Sequence, residues 1–196
     1  ISELAVKHLI SAERAIVSFG QGCEGEPLLQ ADIISQAIKK IRRKTTKGTV
    51  NLNTNASLPG QVKILAESGL DSIRVSLNSV QEKYYTPYYR PNNYSFDDVK
   101  QSIKVMKDAG RFVSLNYFIL PGFTDSPAEF DNLCTLIEKY SPDLIQLRNL
   151  NMDPHLYLQS INFPDQEKGM GLRTWQRKLK LQFPALRFGY YNPALN

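Results

Sequence analysis

Short apolar runs alternate with longer amphipathic segments along this chain, and the alternation predicts its elements. The short runs are residues 15–19, 49–53, 72–77, 112–120 and 144–147. They are rich in Val, Ile and Phe, the composition of buried strands. Between them, Ile33, Ile34, Ala37, Ile38 and Ile41 recur at helical spacing. So do Phe96, Val99, Ile103 and Met106, behind the cap residue Ser95. A third stripe, Phe130, Leu133, Cys134, Ile137 and Tyr140, follows Ser126-Pro127, with Pro at the first helical position. Residues 59–68 read as a shorter helix closed by Gly69. A helix-length segment precedes residue 15. After Met152 the rhythm changes: residues 171–183, with the lone Trp175, read as a basic amphipathic helix, and 185–191 as a last short strand.

Strand–helix–strand at this rhythm means parallel strands joined by right-handed crossovers. The class is α/β, and five such strands suit either an open doubly wound sheet or an incomplete (β/α) barrel. At 196 residues the chain is expected to form one domain. Residues 1–153 make its core and 154–196 a C-terminal extension of it.

Composition narrows the class of partner. With 42% hydrophobic and 22% charged residues, the chain has the make-up of a soluble globular protein. No apolar run is long enough for a membrane span, and the first residues lack a secretory signal pattern, so the expectation is a cytoplasmic protein with no membrane partner. The net charge of +5 draws on residues 38–47 (IKKIRRKTTK) and on five basic residues from Arg173 to Arg187. Such runs suit a phosphate-binding face or a solvated helix end. Aromatic residues do not interleave with the first run, which favours the solvated end and gives nucleic acid no support. The two cysteines, Cys23 and Cys134, make neither a disulfide framework nor a zinc site. His8 and His155 belong to no triad.

Ligands of parallel α/β folds sit at the C-terminal ends of strands, so those loops carry the candidate chemistry. The loop GQGCEGEPLL offers glycine backbone beside Glu24 and Glu26, which suits a cationic amino group and repels a phosphate. Asn53, Thr54 and Asn55 present hydrogen-bonding side chains at the next strand end. Arg74, Ser76 and Asn78 alternate with Ile73, Val75 and Leu77, so one face of that strand is polar. Pro121-Gly122 makes a tight turn able to flank a flat ring. Arg148 ends an otherwise apolar strand and suits a carboxylate.

In this order the stretches resemble the radical S-adenosylmethionine (SAM) superfamily. Glu24-Gly25-Glu26-Pro27 is similar to its glycine–glutamate motif, which binds the methionine amino group, and Asn53-Thr54-Asn55 to the strand-end motif that follows. Ser76 and Asn78 match positions that contact the carboxylate and ribose. Leu120-Pro121-Gly122 resembles the strand end beside the adenine, and Arg148 to Asn151 the next one. The resemblance implies a partial (β/α)6 TIM-like barrel and two cofactors, S-adenosylmethionine and a [4Fe–4S] cluster. In that family a C-x-x-x-C-x-x-C loop after the first strand holds the cluster, and its reduction cleaves S-adenosylmethionine to a 5′-deoxyadenosyl radical. No such motif exists here. Residues 15–19 match the family's second strand, so the expectation is a fragment whose first strand and cluster loop are missing, inactive as it stands. The edge of 15–19 is then expected to pair in a homodimer or to be covered by a terminal segment.

Two other readings compete: a non-catalytic small-molecule-binding module on a degenerate barrel, and an unrelated (β/α) enzyme of the aldolase or sugar-phosphate isomerase type. The last needs a strand-end lysine or paired acids, and the lysines here sit in helical segments. The substrate is not legible. The tyrosine-rich residues 84–94 suit a substrate entrance or the packing of a helix, with packing preferred.

Overall fold

The structure, a computed structural model, describes residues 1–21, 25–164 and 168–195. Glu24 and Cys23 therefore lie outside the described residues. The elements run α1 (Ser2–Ser11), β1 (Ile16–Phe19), a 3₁₀ turn (Pro27–Gln30), α2 (Ala31–Arg42), β2 (Thr49–Thr54), α3 (Pro59–Glu67) and β3 (Ser72–Leu77). They continue with α4 (Glu82–Tyr89), α5 (Phe96–Asp108), β4 (Phe112–Ile119), α6 (Pro127–Tyr140), β5 (Leu144–Asn149), α7 (Pro154–Ser160), α8 (Leu172–Gln182) and β6 (Arg187–Gly189). The strands hydrogen-bond in chain order, β1-β2-β3-β4-β5-β6. They are parallel, with Ile16 opposite Thr49, Asn51 opposite Ser72 and Leu144 opposite Arg187. This is the partial (β/α) barrel that the pattern and the resemblance imply.

All five expected strands form; β2, β3, β4 and β5 each bury apolar residues, whereas the four residues of β1 are all half-buried. In β3, Ile73, Val75 and Leu77 are fully buried while Arg74 and Ser76 are half-buried. In α2, Ile34, Ile38 and Ile41 turn inward, but Ile33, at the margin of the stripe, is exposed. Periodicity alone did not reveal α4 and α7, each only a few residues long. In α4, Tyr84 and Tyr85 are buried, so the tyrosine-rich segment packs a helix.

The chain divides into two compact units. The first comprises Ile1–Ser76, Asp97–Ser114 and Tyr191–Asn196, the second Leu77–Phe96 and Leu115–Tyr190. In the first, α1 packs on α2 and β1. There Arg42 donates to the carbonyls of Gly69 (3.1 Å), Lys47 (3.2 Å) and Gly48 (3.2 Å) and pairs with Asp71, which also accepts from Val50 N at 2.7 Å. The C-terminal segment returns to the same strands: Asn192 Nδ2 reaches Ser18 Oγ at 3.4 Å and Leu195 N donates to Thr49 Oγ1 at 2.8 Å. In the second unit, Tyr84, Phe123, Tyr157 and Ile161 form an apolar cluster, and Trp175 of α8 stacks on Tyr117 of β4.

Candidate functional site

In the first unit the loop after β1 and the loop after β2 are tied together by one carboxylate. Pro27 starts the 3₁₀ turn and Glu26 caps it, accepting from Leu28 N at 3.0 Å. Glu26 also accepts from the Thr54 hydroxyl and, at 2.7 Å, from Asn55 N. Thr54 Oγ1 in turn receives Ala56 N at 2.9 Å, and Asn55 Oδ1 receives Ser57 N at 3.0 Å. Those bonds, with Ser102 Oγ on the Ala56 carbonyl at 2.7 Å, hold Ala56 at a φ of 58°. A left-handed, buried alanine is strained backbone, of the kind that persists where its surroundings over-determine it.

Asn53 works on the neighbouring glycine. Its Nδ2 donates to the Gly20 carbonyl at 2.7 Å, while its Oδ1 accepts from Asn51 at 3.0 Å and from Asn192 at 3.2 Å. Gly20 stands at a φ of 81°, and a Cβ there would lie 2.4 Å from the Asn53 carbonyl oxygen. Gly25 also has a positive φ, of 80°, but open space where a side chain would be. The first unit thus brings Gly25, Glu26, Pro27, Asn53, Thr54 and Asn55 together. Ser76 lies half-buried on β3 of the same unit.

In the second unit Asn78 is fully buried and donates to the Tyr84 carbonyl at 2.9 Å and to the Tyr157 hydroxyl at 3.2 Å. Its Oδ1 is buried and accepts from no described residue. Burial pushes the Tyr157 phenol above its ordinary range, although the Asn78 bond acts the other way. The turn after β4 is built by Thr124, which accepts from Leu120 N at 2.8 Å and donates to the Phe118 carbonyl at 3.0 Å. Asp125 fixes it further, accepting from Gly122 N and from Gly171 N, both at 2.6 Å. Pro121 is exposed and Gly122 half-buried at a φ of 89°. Leu120 and Phe123 pack in the same cluster as Tyr84 and Tyr157, so this turn and Asn78 meet at one aromatic surface. Arg148 of β5 donates from Nε to Asn116 Oδ1 at 3.3 Å.

Sequence reasoning missed Asp125, Tyr157 and Asn192, whose partners are distant in sequence. It also missed Glu129, fully buried in α6, which accepts from Ser79 Oγ (2.8 Å), Val80 N (2.9 Å), Gln81 Nε2 (2.7 Å) and the Tyr117 hydroxyl. Burial raises its pKa above the ordinary value, against the pull of those four bonds. The capping pattern Ser126-x-x-Glu129 is a sequence signal that could have drawn attention to it.

The described residues do not fit an iron–sulfur cluster. The Cys134 thiol is buried on α6 and pushed up to about 11, first by burial. Among the described residues no three His, Cys, Asp or Glu side chains stand together to hold a metal ion. His8 and His155 are both exposed. No helix among the described residues is long and apolar enough to cross a membrane.

Comparison with known proteins is consistent with this arrangement. The family model described as the Radical SAM superfamily matches residues 4–134, well over half of the chain. A probable dual-specificity RNA methyltransferase from a Synechococcus strain is 29% identical over 135 residues, 67% of this chain and 38% of its own length. The chain thus spans well under half of that relative. Among solved structures, methylornithine synthase superposes with a TM-score of 0.63 at 16% identity, over 95% of this chain and 53% of its own. A domain of pyruvate-formate lyase-activating enzyme from Bacteroides vulgatus gives 0.61 at 12% identity, over 90% and 98%. Streptococcus suis SuiB bound to S-adenosylmethionine gives 0.57 at 17%, over 90% and 39%. At these identities the structural likenesses show a shared fold.

Proposed function

This chain belongs to the radical SAM superfamily, and on that premise we propose that it is the part of such an enzyme that holds S-adenosylmethionine. The observation that carries the reading is the Glu26 carboxylate, which locks the glycine–glutamate loop to the Asn53-Thr54-Asn55 strand end. One further feature of the same unit supports the fit: Gly25 leaves its Cα open to close approach. In the family, bound S-adenosylmethionine supplies a radical that takes a hydrogen atom from substrate, and it does so at a reduced [4Fe–4S] cluster. The described residues do not fit that cluster, so they supply no step of its chemistry.

What the residues do is bind and orient. Glu26 spends its oxygens on Leu28 N, Thr54 and Asn55 N, so it shapes the turn and leaves the Gly25 carbonyl to meet an ammonium. Asn53 likewise acts by holding Gly20. The second unit by itself holds Asn78 Oδ1, a buried acceptor that no described residue fills, and the Arg148 guanidinium, whose fork geometry suits a carboxylate.

The test is calorimetric titration of S-adenosylmethionine into the chain. Glu26→Ala is expected to weaken binding by about tenfold or more, the loss of a charge-assisted hydrogen-bond set. If the wild-type chain unfolds cooperatively yet takes up no S-adenosylmethionine, the non-catalytic barrel becomes the better reading.

A further inference from the structure

We propose that the first unit carries a second binding surface, for the phosphodiester backbone of a nucleic acid, built from the end of α2 and the loop that follows it. The structure sorts the basic run of residues 38–47 one side chain at a time. Arg42 is structural, its guanidinium consumed by three carbonyls and Asp71. Its neighbours are not. Lys40, Arg43, Lys44 and Lys47 are exposed and form no ion pair with any described residue.

These cations line grooves, which a plain solvated helix end does not explain. One groove, of about 670 Å³, runs between α1 and the end of α2 and brings Lys7, Lys40, Arg43 and Lys44 together, with Glu3 as its single carboxylate. A second, of about 390 Å³, is lined by Arg14 and Lys47. Complementing the α2 dipole accounts for Lys40 and the C-cap residue Arg43 at most. Lys44 and Lys47 lie beyond the helix, and Lys7 belongs to another one.

The backbone that carries them is tied down. Arg42 clamps the Lys47 and Gly48 carbonyls, Lys44 N and Thr45 N close on the Ile41 carbonyl, and Lys47 N bonds Thr45 Oγ1 at 3.1 Å. A backbone already held in place has less freedom to lose when a polyanion binds.

Chemistry favours phosphate backbone over an acidic protein. The set is mostly lysine, a residue depleted from protein interfaces and common against phosphates. No aromatic side chain lines either groove, so bases have nothing to stack on and recognition stays with the backbone. The second groove lies at the N-terminal ends of β1 and β2, where Ala15 and Gly48 line it, whereas Glu26 and Asn53 belong to their C-terminal ends. That groove and the Glu26 loop are therefore separated by the length of a six-residue strand, about 20 Å.

Fluorescence anisotropy of a short labelled single-stranded RNA tests this with the full chain. Binding should weaken steeply between about 50 and 200 mM salt, with a log–log slope of about −2 to −3. Lys40→Ala/Arg43→Ala/Lys44→Ala should lose at least about tenfold in affinity and flatten that slope by about 2. Its far-ultraviolet circular dichroism and S-adenosylmethionine titration should match wild type. Arg173→Ala/Arg177→Ala/Lys180→Ala, on α8 in the other unit, should bind RNA as wild type does. The proposal is overturned by equal RNA binding in the α2 variant, by loss only in the α8 variant, or by no salt-dependent binding at all. Equal or tighter binding to polyglutamate or to phosphatidylserine vesicles would overturn it too, in favour of an acidic protein or a membrane surface.

Discussion

Gly20 shows how much one position can carry. It ends β1 in the left-handed region, with the Asn53 carbonyl 2.4 Å and Pro27 Cγ 2.9 Å from where a Cβ would stand. Backbone on one side and a proline ring on the other cannot give way cheaply. Gly20→Ala should cost about 2–4 kcal/mol in urea unfolding, combining left-handed strain with the clash. It should also weaken S-adenosylmethionine binding, because the same contact positions the Glu26 loop. At this scale the sequence was informative where residues are close in the chain. Gly25, Glu26 and the Asn-Thr-Asn triplet were legible as strand-end chemistry. That the Glu26 carboxylate faces Thr54, 28 positions away, was not, because nothing local encodes a side-chain partner in another loop.

Helix α6 does more than cover the sheet. Through Glu129 it holds residues 79–81, immediately after Asn78, with four donors converging on one buried carboxylate. Glu129→Gln sets an amide NH₂ against those donors and should destabilise the chain by about 2–4 kcal/mol. The penalty should depend on pH in a definite direction. The folded pKa of Glu129 is raised above its ordinary 4.5. Its stabilising contribution is therefore complete below the unfolded value and declines as pH rises through the folded one. Thermal melts from acidic to neutral pH should show the wild-type advantage over Glu129→Gln narrowing as pH rises. An advantage that widened instead would mean that the four donors outweigh burial. Longer elements were legible from their periodicity, as α2, α5 and α6 show, whereas α4 and α7 each span barely two turns and left no periodic signal.

Over the whole chain, neither unit is a continuous stretch of sequence. The first unit takes back residues from Tyr191 onward, and there Asn192 bonds Ser18 and Asn53 while Leu195 N bonds Thr49. Ending the chain after Tyr190 removes those bonds. Amide hydrogen exchange in β1 and β2 should then quicken by about tenfold, the effect of losing roughly 1–2 kcal/mol of local protection. Unchanged exchange in both strands would show the segment to be a passive neighbour.

The sequence by itself determined the α/β class, the positions of five strands along the chain and the strand-end loops that carry the candidate chemistry. Those follow from hydrophobic period and from Gly, Pro, Asn and Glu at particular places, all properties of short windows. Only the tertiary structure decided which polar groups are already spent. Arg42 and Lys44 look alike in the run IKKIRRKTTK, yet one is wrapped in carbonyls and an aspartate while the other meets solvent. Asn53 and Asn78 look alike as strand-end amides, yet the oxygen of one accepts from Asn51 and Asn192 while the buried oxygen of the other accepts from no described residue. Hydrogen-bond saturation depends on what chain folding brings alongside, and the partners here come from up to 174 residues away.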